Sequence, residues 1–141
     1  MDSRVLFARL SESAMLLDDS LGAVSTDGAG AVVSFSGVVR NRDGGRSVTR
    51  LEYEAHPTAA GILETVAASI AADYPDVRIA IEHRVGSLEV GDLALACAVS
   101  SAHRSDAFVA CQRLVDEVKK QVPIWKLQHF ADGTTEWVGS L

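Results

Sequence analysis

The stretch VKKQVPIWKLQHF, residues 118–130, carries the chain out of a helix and into a strand. Residues 105–121 place apolar side chains at helical spacing, which predicts an amphipathic helix with an apolar face made by Phe108, Cys111, Leu114, Val115 and Val118. Pro123 has no backbone N–H to continue that helix, and residues 124–130 are then predicted to form a strand. The chain is therefore expected to reverse direction near Val122 and Pro123.

Alternating apolar residues and turn residues predict the other elements. In chain order they are a strand at 5–10, a helix beginning near Ser11, a strand at 31–40, a turn at 41–46, a strand at 48–55, a helix from Pro57 to about Tyr74, strands at 77–85 and 92–100, a turn at 132–134 and a strand at 136–138. We expect residues 31–55 to form one long hairpin and the apolar run at 92–100 to be a central strand. Helices between antiparallel hairpins indicate an α+β fold in a single domain, residues 1–141.

The composition excludes several classes of protein. A net charge of −6 argues against a nucleic-acid binder, and no apolar run approaches the roughly 20 residues that span a bilayer. The N-terminus has no signal-peptide pattern, and two cysteines, Cys97 and Cys111, make neither a disulfide framework nor a zinc pattern. No pair of histidines has metal-ligand spacing, and there is no Gly-rich phosphate loop. We expect a reduced, cytoplasmic protein without metal, cofactor, nucleic acid or membrane.

All the lysines of the chain, Lys119, Lys120 and Lys126, lie in the opening stretch, whereas every other basic side chain except histidine is arginine. One interpretation is that Lys119 and Lys120 only oppose the negative end of the helix dipole. The other is functional, because lysine, unlike arginine, loses its proton when it is desolvated or crowded by other cations. Lys119 and Lys126 flank the predicted reversal symmetrically, so both side chains are expected to face one cleft.

Three further basic residues are candidates for anion binding. His103 and Arg104 lie at a strand-to-helix junction, where free backbone N–H groups and the helix dipole attract phosphate. The alternative is that Arg104 is a surface residue and His103 a capping-region residue. Arg40 ends a predicted strand, which makes it better placed than a loop arginine to position a ligand. His83 is predicted to lie on a strand face.

Five segments together carry a resemblance to a known family: GAVVSFSGVVRNRDGGR, LEYEAHP, HRVGSLEVGD, SSAHRSDAF and VKKQVPIWK. Over residues 30–138 the sequence resembles the large, catalytic subunit of molybdopterin synthase. The resemblance implies an α/β-hammerhead-type fold with an additional antiparallel β-sheet. It also implies conversion of cyclic pyranopterin monophosphate (precursor Z) into molybdopterin by insertion of the two dithiolene sulfurs.

The resemblance further implies the partners and the site residues. Sulfur arrives as a thiocarboxylate on the C-terminal Gly-Gly of a small ubiquitin-like subunit, and a homodimer of large subunits carries one small subunit at each end of a heterotetramer. The essential lysines of the family fall on Lys119 and Lys126. Its substrate-contacting positions fall on Val38, Val39, Arg40, His103, Arg104, Lys119, Lys126, Leu127 and Gln128.

Three departures from the family pattern are visible. Val38 stands where relatives often carry a basic residue, and Gln128 stands where some carry glutamate. The chain ends at Leu141, whereas longer relatives have a tail that reaches the neighbouring subunit's site, so completion of the site across a dimer stays open. The alternative functions are a non-catalytic anion- or nucleotide-binding module, or a subunit that only docks the ubiquitin-like partner.

Overall fold

The computed structural model of this protein describes residues 2–139. The predicted domain of residues 1–141 also includes Met1, Ser140 and Leu141, which lie outside the described residues. The elements are β1 (Val5–Ser11), α1 (Leu17–Val24), β2 (Ala31–Val38), β3 (Arg42–Asp43), β4 (Arg46–Ala55), α2 (Ala59–Asp73), β5 (Arg78–Arg84), β6 (Gly86–Glu89), β7 (Leu93–Ser101), α3 (Arg104–Gln121), β8 (Ile124–Phe130) and β9 (Thr135–Val138).

The first sheet has the strand order β1-β5-β7-β2, with β1 parallel to β5 and the other pairs antiparallel. Its two faces bury side chains of different size. Large residues such as Ile79, Ile81 and Val99 join the main core, to which α2 and α3 contribute, whereas Ala80 and Ala98 pack with Val24 of α1. Because β7 is covered on both faces, its sequence is a nearly continuous apolar run, and its predicted central position is confirmed.

The second sheet has the order β3-β4-β8-β9, and β6 also pairs with β4. All of its pairs are antiparallel. It contributes Leu51, Tyr53, Leu88 and Ile124 to the main core, so both sheets share one interior. The predicted α+β class and the additional antiparallel sheet are confirmed.

The predicted long hairpin over residues 31–55 is wrong. Strand β2 pairs with β7 in the first sheet, and β4 pairs with β3, β6 and β8 in the second. The chain leaves the first sheet at Val39, whose backbone N–H donates to the Asp92 carbonyl (3.0 Å) and whose carbonyl accepts from Gly91 (2.9 Å). Gly44 and Gly45 both have positive φ (58° and 80°), and this tight turn closes only the short hairpin of β3 and β4.

Three smaller predictions also differ from the structure. Helix α1 begins at Leu17 and not near Ser11, because the Ser11 hydroxyl donates to the Ser13 carbonyl (2.8 Å) and makes the Ser-Glu-Ser segment a turn. Phe108 does not belong to the buried face of α3, since 60% of its surface is exposed. Strand β6 was not predicted, and it forms because its four residues pair with the edge of β4 opposite to β8.

Candidate active site

Lys119 and Lys126 line one cavity of about 290 Å³ between the two sheets and the end of α3. We call it the lysine cavity, and it is lined by Phe35, Gly37, Val38, Arg40, Tyr53, His83, Ala94, Leu95, Lys119 and Lys126. Its polar groups are mostly cationic, whereas β2 and β7 supply apolar walls. The prediction that the two lysines face one cleft is confirmed.

The chain reversal between α3 and β8 positions both lysines on regular structure. Helix α3 ends with the Val122 N–H donating to the Val118 carbonyl (3.0 Å), which places Lys119 in the last turn. Val122 itself is extended (φ −79°, ψ 120°), and β8 begins two residues later. Lys126 is then held between Tyr53 of β4 and Val138 of β9 in the second sheet. Rigid elements on both sides of the cavity therefore carry the two amines.

Lys126 is half-buried, and burial lowers the pKa of its amine below the ordinary value of 10.5. Asp43 opposes this change, while Arg40 and Lys119 lower the pKa further. The sequence analysis names both desolvation and crowding by other cations as possible causes. Repulsion contributes, but removal of the ammonium group from water is the larger effect.

The ammonium group of Lys119 lies over the Phe35 ring, with Nζ 5.9 Å from the ring centroid. This distance is at the outer limit of a cation–π contact. Phe35 occupies the inward face of β2, where Val33 and Gly37 also point inward. Strand β2 thus contributes an aromatic wall beside the amine.

A recess of about 70 Å³ adjoins the lysine cavity and shares Val38, Arg40, Tyr53 and Lys126 with it. Val39 and Gln128, two predicted substrate contacts, line this recess. The Gln128 amide donates from Nε2 to Asp43 Oδ2 (3.0 Å), and Arg40 lies 3.9 Å from the other Asp43 oxygen. Arg40 follows β2 by two residues and does not end the strand as predicted, and 79% of its side chain is exposed.

The other predicted contacts do not line the lysine cavity. Leu127 alternates with Lys126 and Gln128 on β8, so its side chain lies on the opposite face. His103 and Arg104 are exposed at the N-terminal end of α3, and fifteen residues of helix separate Arg104 from Lys119, about 22 Å along the axis. They border a separate depression with Gly30 and Phe108. One chain alone therefore does not bring these two residues to the lysines.

Asp76 fixes the junction that leads to His103. Its Oδ2 accepts from the Ser101 hydroxyl (3.0 Å) and from the Ala102 backbone N–H (3.1 Å). The His103 backbone is extended (φ −126°, ψ 151°), and its side chain does not cap the helix. The N-cap residue thus leaves the first N–H groups of α3 without a side-chain cap, beside the exposed Arg104, and such a helix end attracts anions.

The sequence analysis missed two polar residues of the lysine cavity, Tyr53 and His83, and one of the adjoining recess, Asp43. Tyr53 and His83 are buried, and their rings meet edge to face with centroids 4.9 Å apart. Burial raises the pKa of the Tyr53 hydroxyl to about 12 and lowers that of the His83 imidazole to about 4. Strand β5 carries four ionisable residues, Arg78, Glu82, His83 and Arg84, so its sequence does not single out His83.

Two general features of the described residues complete the site description. Within residues 2–139, no cluster of His, Cys, Asp and Glu is arranged to hold a metal ion. The helices of that same range include none that is long and apolar enough to cross a membrane.

Comparison with known proteins agrees with this geometry. Residues 10–121 match the family model described as MoaE protein. The molybdopterin synthase catalytic subunit of Nostoc sp. is 42% identical over 123 residues, which cover 85% of this chain and 74% of that protein. Catalytic subunit 1 of Mycobacterium tuberculosis is 38% identical over 94% of this chain and 90% of its own.

The fold has a solved counterpart as well. The crystal structure of molybdopterin synthase from Staphylococcus aureus superposes with a TM-score of 0.87 and 34% identity, covering 92% of this chain and 95% of the other. This match confirms the α/β-hammerhead-type fold with its additional sheet that the resemblance implied. The chain therefore belongs to the MoaE family, whose similar members named above are molybdopterin synthase catalytic subunits.

Proposed function

We propose that this protein is the catalytic subunit of a molybdopterin synthase and acts in molybdenum cofactor biosynthesis. It transfers sulfur from the C-terminal thiocarboxylate of a small ubiquitin-like subunit to cyclic pyranopterin monophosphate, and two transfers form the dithiolene of molybdopterin. One observation carries the proposal: two lysines from different elements meet in one cavity, and burial lowers the pKa of Lys126. The family to which the chain belongs supplies the reaction.

The lysine cavity suits an anionic substrate with a flat ring. Arg40, Lys119 and Lys126 give it three cationic side chains, which attract a monophosphate and a thiocarboxylate. Phe35 and Leu95 form apolar walls against which a pterin ring can pack. Val38, which is 50% exposed, adds no charge at a position where relatives often carry a basic residue. Arg40 is therefore the main guanidinium at this end of the site.

The two lysines have different proposed roles. Lys119, at the open end of the cavity, transfers a proton at the carbon that receives sulfur, beside the incoming thiocarboxylate. Lys126, deeper between the sheets, stabilises the negative charge that develops on the substrate. Because its pKa is lowered, Lys126 can also release its proton more readily than an exposed lysine.

His103 and Arg104 join the site from a second copy of the chain. About 22 Å of helix separates them from Lys119 within one chain, which is too far for one small substrate. In a homodimer the N-terminal end of one α3 can approach the lysine cavity of the other copy, and each copy then completes its partner's site. A small subunit bound at each end gives the proposed heterotetramer, with the cytoplasm as its proposed location.

The test mixes the purified protein with a thiocarboxylated small subunit and the cyclic pyranopterin, and measures molybdopterin as its fluorescent oxidised derivative. We expect product from the wild type and a loss of about 100-fold or more in Lys119→Arg, because arginine keeps the charge but does not release its proton. Lys120→Arg, one residue away on the exposed side of the helix, is the matched control and should retain full activity. A Lys119→Arg variant as active as the wild type would overturn the proton-transfer role of Lys119. A wild type that binds both partners but makes no product would favour the non-catalytic anion-binding module.

A further inference from the structure

The imidazole of His83 forms part of the wall of the lysine cavity, although the proposed reaction gives it no role. It lies on β5, paired with Leu10 of β1 and Leu95 of β7, and only 1% of the residue is exposed. A histidine is costly to bury in its charged form, and a buried imidazole is expected to have both ring nitrogens hydrogen-bonded.

The protonation state of the ring follows from its contacts. Nδ1 lies 2.6 Å from the Arg84 carbonyl oxygen, which can only accept, so Nδ1 carries the proton and donates it. Burial, together with the charge of Lys119, lowers the pKa to about 4, although the bond to Arg84 opposes this change. The imidazole is therefore neutral at pH 7, and Nε2 presents a lone pair.

That lone pair has no hydrogen-bond partner among the described residues. Of the residues that line the lysine cavity, His83 alone has a buried side-chain nitrogen or oxygen without such a partner. Buried polar atoms are nearly always paired in folded proteins, and an exception calls for a ligand or a functional reason. Nε2 is itself buried, so a donor group reaches it only if the side chains around it shift as the ligand enters the cavity.

The remaining polar groups of the cavity explain why an acceptor is needed there. Arg40, Lys119 and Lys126 are donors without acceptor capacity when charged, and the Tyr53 hydroxyl both donates and accepts. The three cations hold anionic oxygens but do not accept from N–H groups, so Tyr53 and His83 supply the side-chain acceptors of the cavity. A neutral imidazole acceptor adds that property without a negative charge that would repel a phosphate.

We propose that His83 is a substrate-binding residue whose Nε2 accepts a hydrogen bond from an N–H or O–H group of the substrate bound in the lysine cavity. It selects a ligand that combines an anionic group, held by the cations, with a neutral donor edge directed at β5. This assignment rests on the proposed function, because it concerns the substrate of the same site.

Two substitutions test the roles of the two ring nitrogens one at a time. The amide of asparagine ends near the position of Nδ1, so His83→Asn can keep the bond to Arg84 but offers no acceptor at Nε2. The amide of glutamine ends near Nε2, so His83→Gln keeps an acceptor there and gives up the bond to Arg84. With the small-subunit complex, we expect His83→Asn to lose about tenfold in kcat/KM, mainly through KM, and His83→Gln to stay within about threefold of wild type.

The outcomes show whether the role of His83 or the proposed function itself is wrong. Product from the wild type with equal loss in both variants, or with greater loss in His83→Gln, means that the ring is only structural and overturns the inference alone. No product from the wild type overturns the proposed function and this assignment with it. A second measurement uses the wild-type protein and so does not depend on whether the variants fold. The 15N resonance of His83 Nε2 should shift when the cyclic pyranopterin is added, and an unchanged resonance would overturn the assignment.

Discussion

Lys119 and Lys126 enter one cavity from the two sides of a single chain reversal, the first from the last turn of α3 and the second from β8. The reversal needs only Val122 and Pro123, because Val122 is extended and Pro123 cannot continue the helix. Two amines with a separation of seven residues in sequence are thereby brought together by elements that pack into the same core. The site depends on this geometry and not on a mobile loop.

Replacement of Lys126 by glutamine should abolish activity but raise stability near neutral pH. Burial lowers the pKa of Lys126 in the folded state, so the unfolded state binds the proton more tightly and the charged amine destabilises the fold at pH below 10.5. We expect Lys126→Gln to unfold roughly 2 °C above wild type at pH 7, a modest gain because the side chain is only half-buried and solvent screens it.

The sign of the pH dependence provides the check. As pH rises toward 10.5, Lys126 loses its proton in the folded state before it does so in the unfolded state, and the destabilisation caused by the charged amine disappears. The difference in unfolding temperature between the two proteins should therefore shrink. Thermal unfolding of both proteins from pH 7 to pH 10 measures this. A difference that grows with pH would mean that the charged amine of Lys126 stabilises the fold.

Two inactive variants should restore each other's activity if the site is completed by a second copy. In a mixed dimer the Lys119→Ala copy lacks the amine in its own lysine cavity, and the Arg104→Ala copy lacks the guanidinium that it would contribute to that same cavity, so the other cavity is intact. Random exchange of subunits makes half the dimers mixed, each with one intact site, so activity should recover to about one quarter of wild type. Refolding the two variants together and assaying molybdopterin tests this, with each variant refolded alone as the control. No recovery in dimers that are verified as mixed would place Arg104 outside the lysine site.

The sequence predicted the two lysines and their meeting because a helix period, a proline and a strand lie within a few residues of one another. Such local signals need no knowledge of the tertiary fold. The partner of β2 was mispredicted because turn residues at 41–46 show that the chain turns but not which strands it joins. Sheet pairing depends on which faces must be buried, and residue Val39, where the chain changes sheets, has no distinctive sequence signal.

The remaining site residues show the same limit. Asp43 and Gln128 are 85 positions apart in sequence, and only the packing of β3, β4 and β8 brings them to 3.0 Å. His83 is one of four ionisable residues on the mostly buried strand β5, and its place at the cavity depends on the pairing of β5 with β7. His103 and Arg104 were recognised by a local helix start, but their distance from Lys119 follows from the length of α3.

Asp76 should stabilise the helix end that carries His103 and Arg104. Asp76→Ala removes the acceptor for the Ser101 hydroxyl and the Ala102 N–H, and we expect a loss of about 1 kcal/mol in the free energy of unfolding, with a higher KM for the cyclic pyranopterin. Asp73→Ala is the matched control, because Asp73 forms only an exposed pair with Arg113 (2.8 Å), whose loss should change KM little. Urea denaturation and steady-state kinetics measure both effects, and equal KM values for the two variants would deny Asp76 a role in positioning.

Two glycine-to-alanine substitutions should change stability in opposite directions. A Cβ on Gly30 would lie 2.6 Å from the Ala102 carbonyl oxygen, so either β2 or the junction before α3 must move. We expect Gly30→Ala to cost about 1–3 kcal/mol. Gly22 lies inside α1 with nothing within 4 Å of an added Cβ, and Gly22→Ala should gain about 0.5–1 kcal/mol because alanine favours the helix.

The Gly30 clash also reaches the proposed site, since Ala102 is next to His103. A shifted junction should weaken whatever His103 and Arg104 bind, so Gly30→Ala should raise KM for the cyclic pyranopterin while Gly22→Ala leaves it unchanged. Thermal unfolding with the molybdopterin assay measures both quantities on the same preparations. If Gly30→Ala lost stability but kept the wild-type KM, the junction could move without affecting substrate, and the proposed contribution of His103 and Arg104 would fail.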